Sequence, residues 1–110
     1  MRIPNAENAI IEGSKVVEYL LKLDHPRGGG KAKLLISIGY DPKNWQQLAD
    51  DLRQQHLNAE VVEDHDSPWG NRYDIVAPLC GPQGDTIMFR SIWQIGLGSD
   101  QPRLITMHPE

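Results

Sequence analysis

The chain has only one cysteine and no long apolar run, and these two features exclude several classes of protein. Cys80 cannot form an internal disulfide framework or a zinc site built on several cysteines. No segment approaches the roughly 20 apolar residues of a membrane span. The first ten residues lack the basic and then apolar stretch of a secretory signal. The sequence therefore predicts no membrane segment and a location in a reducing cytoplasm.

Several catalytic motifs are also absent. The glycines at 28–30 are not followed by the Gly-Lys-Ser/Thr ending of a phosphate-binding Walker loop, and no predicted strand precedes them as in a dinucleotide fingerprint. The chain has no Gly-x-Ser-x-Gly elbow, His-Glu-x-x-His pair or EF-hand loop. We therefore expect no cofactor, no metal and no serine hydrolase chemistry.

The chain has fewer basic than acidic residues, and the imbalance lies in its second half. The net charge is −4, with eight basic and seven acidic residues in 1–58 against three basic and eight acidic residues in 59–110. Broad, nonspecific nucleic-acid binding needs a basic footprint that this chain lacks. A compact phosphate site within one local basic patch is still compatible with the sequence, and a solvated face is the alternative. The candidate patch holds four cations: Lys22, Arg27, Lys31 and Lys33.

The first half of the chain has the pattern of helices. An apolar stripe predicts a first helix from about Ser14 to Leu23, with Ser14 as its N-cap. Lys31–Ile38 is ambiguous, because its branched residues suit a buried strand whereas its alanine and lysines suit a helix start; we favour a helix. Asp41 and Pro42 predict the start of a third helix that continues to about residue 56.

After residue 58 the apolar residues alternate, which is typical of strands. Strands are predicted from Val61, over Arg72–Leu79, over Thr86–Leu97 and over Arg103–Met107. Short turns join them, so consecutive strands must pair antiparallel. The predicted class is α+β, with N-terminal helices (about 14–56) packed on one face of a four-stranded antiparallel sheet (about 59–107) in a single domain, 1–110.

The segment from His25 to Lys33 is the densest candidate for chemistry. His25 can give or take a proton near neutral pH, and Lys31 can stabilise a negatively charged transition state. The glycines permit close approach of the backbone to an anion. The alternative is a helix–turn–helix junction with geometric glycines and solvated cations. The predicted substrate-binding residues of the segment are Arg27, Gly28, Gly29 and Lys33.

Two residues of the predicted sheet are further candidates. Arg90 lies in mid-strand between apolar neighbours, which indicates a wet face of the sheet, although a merely exposed strand position is the favoured interpretation. Thr106 on the last strand could join it. The acidic run 60–66 invites a metal interpretation, because Asp64 and Asp66 could share one face of a strand. A solvated acidic edge is the favoured interpretation.

The chain resembles a small bacterial domain-of-unknown-function family over nearly its whole length. The resemblance rests on the start Ile3-Pro4-Asn5-Ala6, the helix end Leu20-Leu21, the His25-Pro26-x-Gly28-Gly29-x-Lys31-Ala32-Lys33 segment and the strand around Trp93. That family occurs alone or fused to larger proteins and is similar to domains at the C-termini of polymorphic toxins. The order of helices before four strands also resembles the barnase–EndoU–colicin–RelE-like ribonuclease superfamily. This second resemblance implies RNA cleavage without metal, by attack of the 2′-hydroxyl on the adjacent phosphate.

These observations give a first hypothesis, a ribonuclease-like toxin domain whose partners are RNA and a cognate immunity or antitoxin protein. His25 is its general acid/base, Lys31, Arg27 and Arg90 bind the scissile phosphate, and Thr106 donates a hydrogen bond. The alternative is a non-catalytic interaction or neutralising partner of a two-gene system, which the acidic second half supports. A third reading is a phosphate-ligand binding protein. Convergence of His25, Lys31 and Arg90 in one cleft would favour catalysis.

Overall fold

The computed structural model describes residues 1–27 and 29–110 and has an α+β fold, which confirms the predicted class. Helix α1 covers Gly13–Lys15 and continues as a π-helix over Val16–Leu20; α2 covers Gly29–Ser37; α3 covers Gln46–Asp51 and continues as a π-helix over Leu52–His56. Single 3₁₀ turns lie at Ala6–Asn8 and Pro42–Asn44. The strands are β1 Val61–Ser67, β2 Gly70–Cys80, β3 Thr86–Gly96 and β4 Pro102–Pro109. No helix among the described residues is long and apolar enough to cross a membrane.

The first helix is shorter than the apolar stripe predicted. Its N-cap is Glu12, with extended backbone and no side-chain hydrogen bond, so the prediction of Ser14 as N-cap is wrong. The helix closes where the N–H of Leu21 donates to the carbonyl of Val16, 2.8 Å away, in a wide π-turn. Leu23, the predicted last residue, lies beyond this turn and is exposed.

The second helix follows its sequence signals, whereas the third starts later than predicted. The ambiguous segment is helical up to Ser37, where helix α2 ends, and Gly39 has a φ of 110°, a left-handed conformation that glycine adopts without strain. The side chain of Asp41 accepts a hydrogen bond from the N–H of Lys43 at 2.9 Å, but it caps the 3₁₀ turn Pro42–Asn44. Helix α3 begins only at Gln46, so the prediction that Asp41 and Pro42 start the third helix is wrong.

The four strands are antiparallel neighbours in the order β1-β2-β3-β4. Odd-numbered side chains of β2 and β3 face the helices, and Tyr73 lies opposite Trp93 in the centre of the core. The register of β4 shifts beside β3: Leu104 pairs with Trp93 whereas Thr106 pairs with Ile92, so Ile105 is an extra, bulged residue. This bulge turns Ile105 and Thr106 out of the core.

A buried histidine links helix α3 to the sheet. Nδ1 of His56 lies 2.7 Å from Oγ of Ser91, which also accepts a hydrogen bond from the indole N–H of Trp93 at 2.8 Å. Either the Ser91 hydroxyl or Nδ1 of His56 is the donor of this bond, depending on the tautomer of the imidazole. Burial lowers the pKa of His56 to about 4, and the backbone of Ala77 opposes that shift only in part. The core therefore holds His56 in its neutral form at pH 7.

We predict that His56 makes stability depend on pH between about 4 and 6.5. The unfolded chain binds this proton near the ordinary pKa of 6.5 and the folded chain near 4, so stability is complete above 6.5 and is lost as the pH falls. The shift corresponds to roughly 3 kcal/mol at full effect. Urea unfolding at several pH values should show this slope in the parent and in His65→Asn, an exposed histidine control. It should be lost in His56→Asn; an equal slope in both variants would contradict the assignment.

Candidate active site

A triangle of hydrogen bonds joins helix α1, helix α2 and strand β4. Nζ of Lys31 donates to the hydroxyl of Tyr19 at 2.6 Å and to Oγ1 of Thr106 at 3.1 Å. The two hydroxyl oxygens are 3.2 Å apart and share a further hydrogen bond. All three side chains are half-buried, so the triangle is both held by the fold and open to solvent. We call these three residues, with Lys15 and His25, the tyrosine cluster.

The other two members of the tyrosine cluster lie against the Tyr19 ring. The imidazole of His25 contacts it edge-to-face, with the ring centroids 4.9 Å apart. Nζ of Lys15 lies 6.0 Å from the centroid and Nζ of Lys31 lies 5.0 Å from it, within range of cation–π attraction. Lys15 also donates to the carbonyl of the bulged Ile105 at 2.9 Å. The cluster therefore combines a phenol, an imidazole and two ammonium groups.

Local structure explains how distant residues meet here. Lys15 and Tyr19 are four residues apart and therefore point the same way from helix α1. The chain then turns back tightly, because the N–H of Gly29 donates to the carbonyl of His25 at 3.0 Å. A Cβ on Gly29 would lie only 2.5 Å from the carbonyl oxygen of Leu23, so a side chain there would force this turn open. The turn places Lys31 in the first turn of α2, beside Tyr19.

Two details of the cluster concern the tautomer of His25 and the acidity of Tyr19. The N–H of Arg27 donates to Nδ1 of His25 at 3.0 Å, so the neutral imidazole carries its proton on Nε2. Burial alone would raise the pKa of Tyr19. Hydrogen bonds with Lys31 and Thr106, and the charges of Lys31 and Lys15, outweigh burial and hold that pKa below its ordinary value of 10.0. The cluster therefore favours the phenolate of Tyr19 more than water does.

Arg90 takes part in a different set of contacts. Its guanidinium donates to Oδ2 of Asp74 at 2.8 Å and to Oε2 of Glu110 at 3.1 Å, and Oε1 of Glu63 is 3.8 Å away. None of its contacts among the described residues reaches the tyrosine cluster. The structure brings together His25, Lys31 and Thr106 but pairs Arg90 with carboxylates, so the expected convergence of His25, Lys31 and Arg90 in one cleft does not occur.

The predicted substrate-binding residues lie in different surroundings. Arg27 and Lys33 are exposed, but Lys33 follows Lys31 by two residues and lies about 200° around helix α2 from it. The N–H of Gly29 is used by the carbonyl of His25 and serves the turn. Gly28 lies outside the described residues, so its predicted role stays a prediction.

Sequence reasoning missed Lys15 and Tyr19. Their signal is a lysine and a tyrosine at a spacing of four, on a helix whose other regularly spaced residues are aliphatic. The acidic strand β1 is solvated along Val62–Asp66, and no group of three or more metal-ligating side chains with suitable geometry occurs within 1–27 and 29–110.

We predict that Lys31→Met raises the pKa of Tyr19, because the substitution removes a hydrogen bond and a positive charge from the phenol. Absorbance titration of the parent and of Lys31→Met, each referenced to its own Tyr19→Phe variant, isolates this one of three tyrosines. Lys33→Met, two residues along the same helix, should leave the value unchanged. Equal values in the parent and Lys31→Met would refute the electrostatic coupling.

The fold of this chain occurs in a solved structure. A chain in the contact-dependent growth inhibition toxin–immunity protein complex from Klebsiella pneumoniae 342 superposes with a TM-score of 0.73 at 19% sequence identity. The match covers 96% of this chain and 96% of that one, and at this identity it shows a shared fold. No curated protein matches the chain by sequence. The profile of the family described as a domain of unknown function (DUF6883) matches residues 2–110, and the chain belongs to that family.

Proposed function

We propose that this chain is a small ribonuclease that cleaves RNA by acid/base chemistry without a metal, and that it acts as the toxin of a toxin–immunity pair. One observation carries the proposal: a phenol with a lowered pKa, an imidazole and an ammonium group meet at the tyrosine cluster. Cleavage at a phosphodiester needs two proton-transfer groups and a cation close together.

The proposed reaction uses the RNA's own 2′-hydroxyl. One of Tyr19 and His25 removes its proton, the 2′ oxygen attacks the adjacent phosphorus, and the bond from phosphorus to the 5′ oxygen breaks. The other group supplies a proton to that oxygen. The products are a 2′,3′-cyclic phosphate and a 5′-hydroxyl end. Lys31 stabilises the negative charge that builds on the phosphoryl oxygens, and Thr106 donates a hydrogen bond to them.

Local charge supports binding of a phosphate despite the acidic chain. The segment 15–33, which supplies four of the five members of the tyrosine cluster, has five basic and two acidic residues. The rest of the chain has six basic and thirteen acidic residues and repels a polyanion. Such a distribution favours a restricted RNA substrate over binding along an extended backbone.

The fold comparison supports the biological setting. One solved structure with this fold is a complex of a contact-dependent growth inhibition toxin with its immunity protein. A toxin needs a partner that keeps the producing cell alive, and an exposed cationic cluster offers such a partner a surface to cover. The expected partner is therefore an immunity protein with acidic residues at its contact surface.

We predict that the purified chain cleaves RNA in the presence of EDTA and leaves 2′,3′-cyclic phosphate ends. Tyr19→Phe and His25→Ala should each lower the rate about 100-fold or more, since positioned acid/base groups contribute factors of roughly 10²–10⁴. Lys31→Met should lower it as well, whereas Lys33→Met should behave like the parent. Circular dichroism and thermal unfolding check that each variant is folded.

A parent protein that leaves RNA intact over a panel of total, transfer and messenger RNA would overturn the ribonuclease assignment. So would full activity in Tyr19→Phe and His25→Ala, since the cleavage would then come from elsewhere.

The second candidate is the neutralising partner of such a pair. The observation that favours it is the row of exposed residues Val62–Asp66 on strand β1, which carries Glu63, Asp64 and Asp66. An exposed acidic strand could meet a basic toxin. Expression in a sensitive cell separates the two: a ribonuclease arrests growth unless Tyr19 or His25 is replaced, whereas a neutralising partner is harmless and protects against its toxin.

A further inference from the structure

A groove lies on the face of the sheet that is turned away from the helices. It has a volume of about 260 Å³, and its apolar floor includes Ile92 and the bulged Ile105. Arg72, Gln94 and Trp69 also line it. Its remaining end is formed by Thr106, which belongs to the tyrosine cluster as well. The groove and the candidate active site therefore share one residue, Thr106.

Trp69 is the unusual residue of this groove. Its side chain is 74% exposed at the turn between β1 and β2, whereas Trp93 is fully buried. The backbone beneath it is fixed, because its N–H donates to Oγ of Ser67 at 3.2 Å and its carbonyl accepts from the N–H of Leu97 at 3.2 Å. An indole held out on a fixed backbone is a stacking platform available at small entropic cost.

Polar side chains line the groove next to its apolar residues. Gln94 has an amide donor and an amide acceptor, and its Nε2 makes a long hydrogen bond of 3.4 Å to Oγ of Ser67. The guanidinium of Arg72 is oriented by Asp74, with Nε 3.1 Å from Oδ1. A nucleobase has matching chemistry, because its flat face stacks on aromatic rings and its edge exchanges hydrogen bonds with amides and guanidinium groups.

We propose that this groove binds the base of a nucleotide next to the scissile phosphate, stacked on Trp69 with its edge toward Gln94 and Arg72. This inference rests on the proposed function. A phosphate hydrogen-bonded to Thr106 in the tyrosine cluster leads its nucleotide directly into the groove. Pockets for drug-sized ligands have volumes of about 300–1,000 Å³, so this smaller groove suits one base. The substrate is then an unpaired nucleotide, since a paired base has no free edge or face to offer.

The first experiment measures cleavage of dinucleotides and of a single-stranded oligonucleotide by the parent and by Trp69→Ala. Loss of one base stack corresponds to about a 5- to 150-fold drop in kcat/KM, with cleavage of a duplex of the same sequence slow in both proteins. Met88→Ala is the matched control, because Met88 is an exposed apolar residue on the same face of β3, away from the groove. Equal kcat/KM for Trp69→Ala and the parent would refute the groove while leaving the ribonuclease assignment intact.

The second experiment does not depend on cleavage. Nucleoside 3′-monophosphates and inorganic phosphate are titrated into the parent and into Trp69→Phe, with tryptophan fluorescence as the readout. The nucleotides should quench a component that Trp69→Phe lacks, and inorganic phosphate should not. If RNA stays intact and this quenching is seen, the base site stands and the ribonuclease proposal fails. Absence of Trp69-dependent quenching would overturn the base site.

Discussion

The candidate site depends on the hydrogen bonds that the ammonium group of Lys31 donates. It holds the hydroxyls of Tyr19 and Thr106 together and thereby joins two helices to strand β4. An ammonium group between two half-buried oxygens forms stronger hydrogen bonds than a neutral donor would. The same charge acts on the phenol and shifts its proton equilibrium. The side chain of Lys31 therefore both connects these elements and lowers the pKa of Tyr19. Lys31 lies beside Tyr19 because Gly29, which has no Cβ, allows the preceding turn to close.

Much of the fold follows from local patterns in the sequence. Alternation of apolar residues and the turn residues after Ser67 and Cys80 locate the strands of the hairpins, and short connections leave antiparallel pairing as the available topology. The ends of α1 could not be predicted in the same way. A π-turn and an N-cap without a side-chain hydrogen bond are set by packing of Val16 and Leu20 against the core, and neither has a local sequence signal.

Residues of the candidate site could be predicted where they lie in one segment of the sequence, but not where contacts between distant segments bring them together. His25 and Lys31 stand out because a histidine, glycines and cations are crowded into a few residues. Tyr19 could not be recognised as a site residue, because a tyrosine in an apolar stripe has the same pattern as a core residue. Periodicity placed Arg90 on the correct face of its strand, but it carries no information on cross-strand partners. Asp74 and Glu110 pair with its guanidinium on that face of the sheet. Because these carboxylates offset the charge of Arg90, the guanidinium attracts a substrate phosphate less strongly.

The bulge in β4 explains why one threonine serves two surfaces. In a regular strand, alternate residues face opposite sides of the sheet, so a residue on the far face would lie away from the helices. The extra residue Ile105 breaks that alternation beside Ile92, and its carbonyl is held by Lys15. Thr106 follows this bulge on the edge strand β4, where its hydroxyl meets Tyr19 and Lys31 while its side chain also lines the groove. Bulges are common beside active sites because they redirect side chains in this way. A nucleotide bound here would meet cations at its phosphate and an aromatic ring at its base, and only the phosphate end lies on the positively charged part of an otherwise acidic chain.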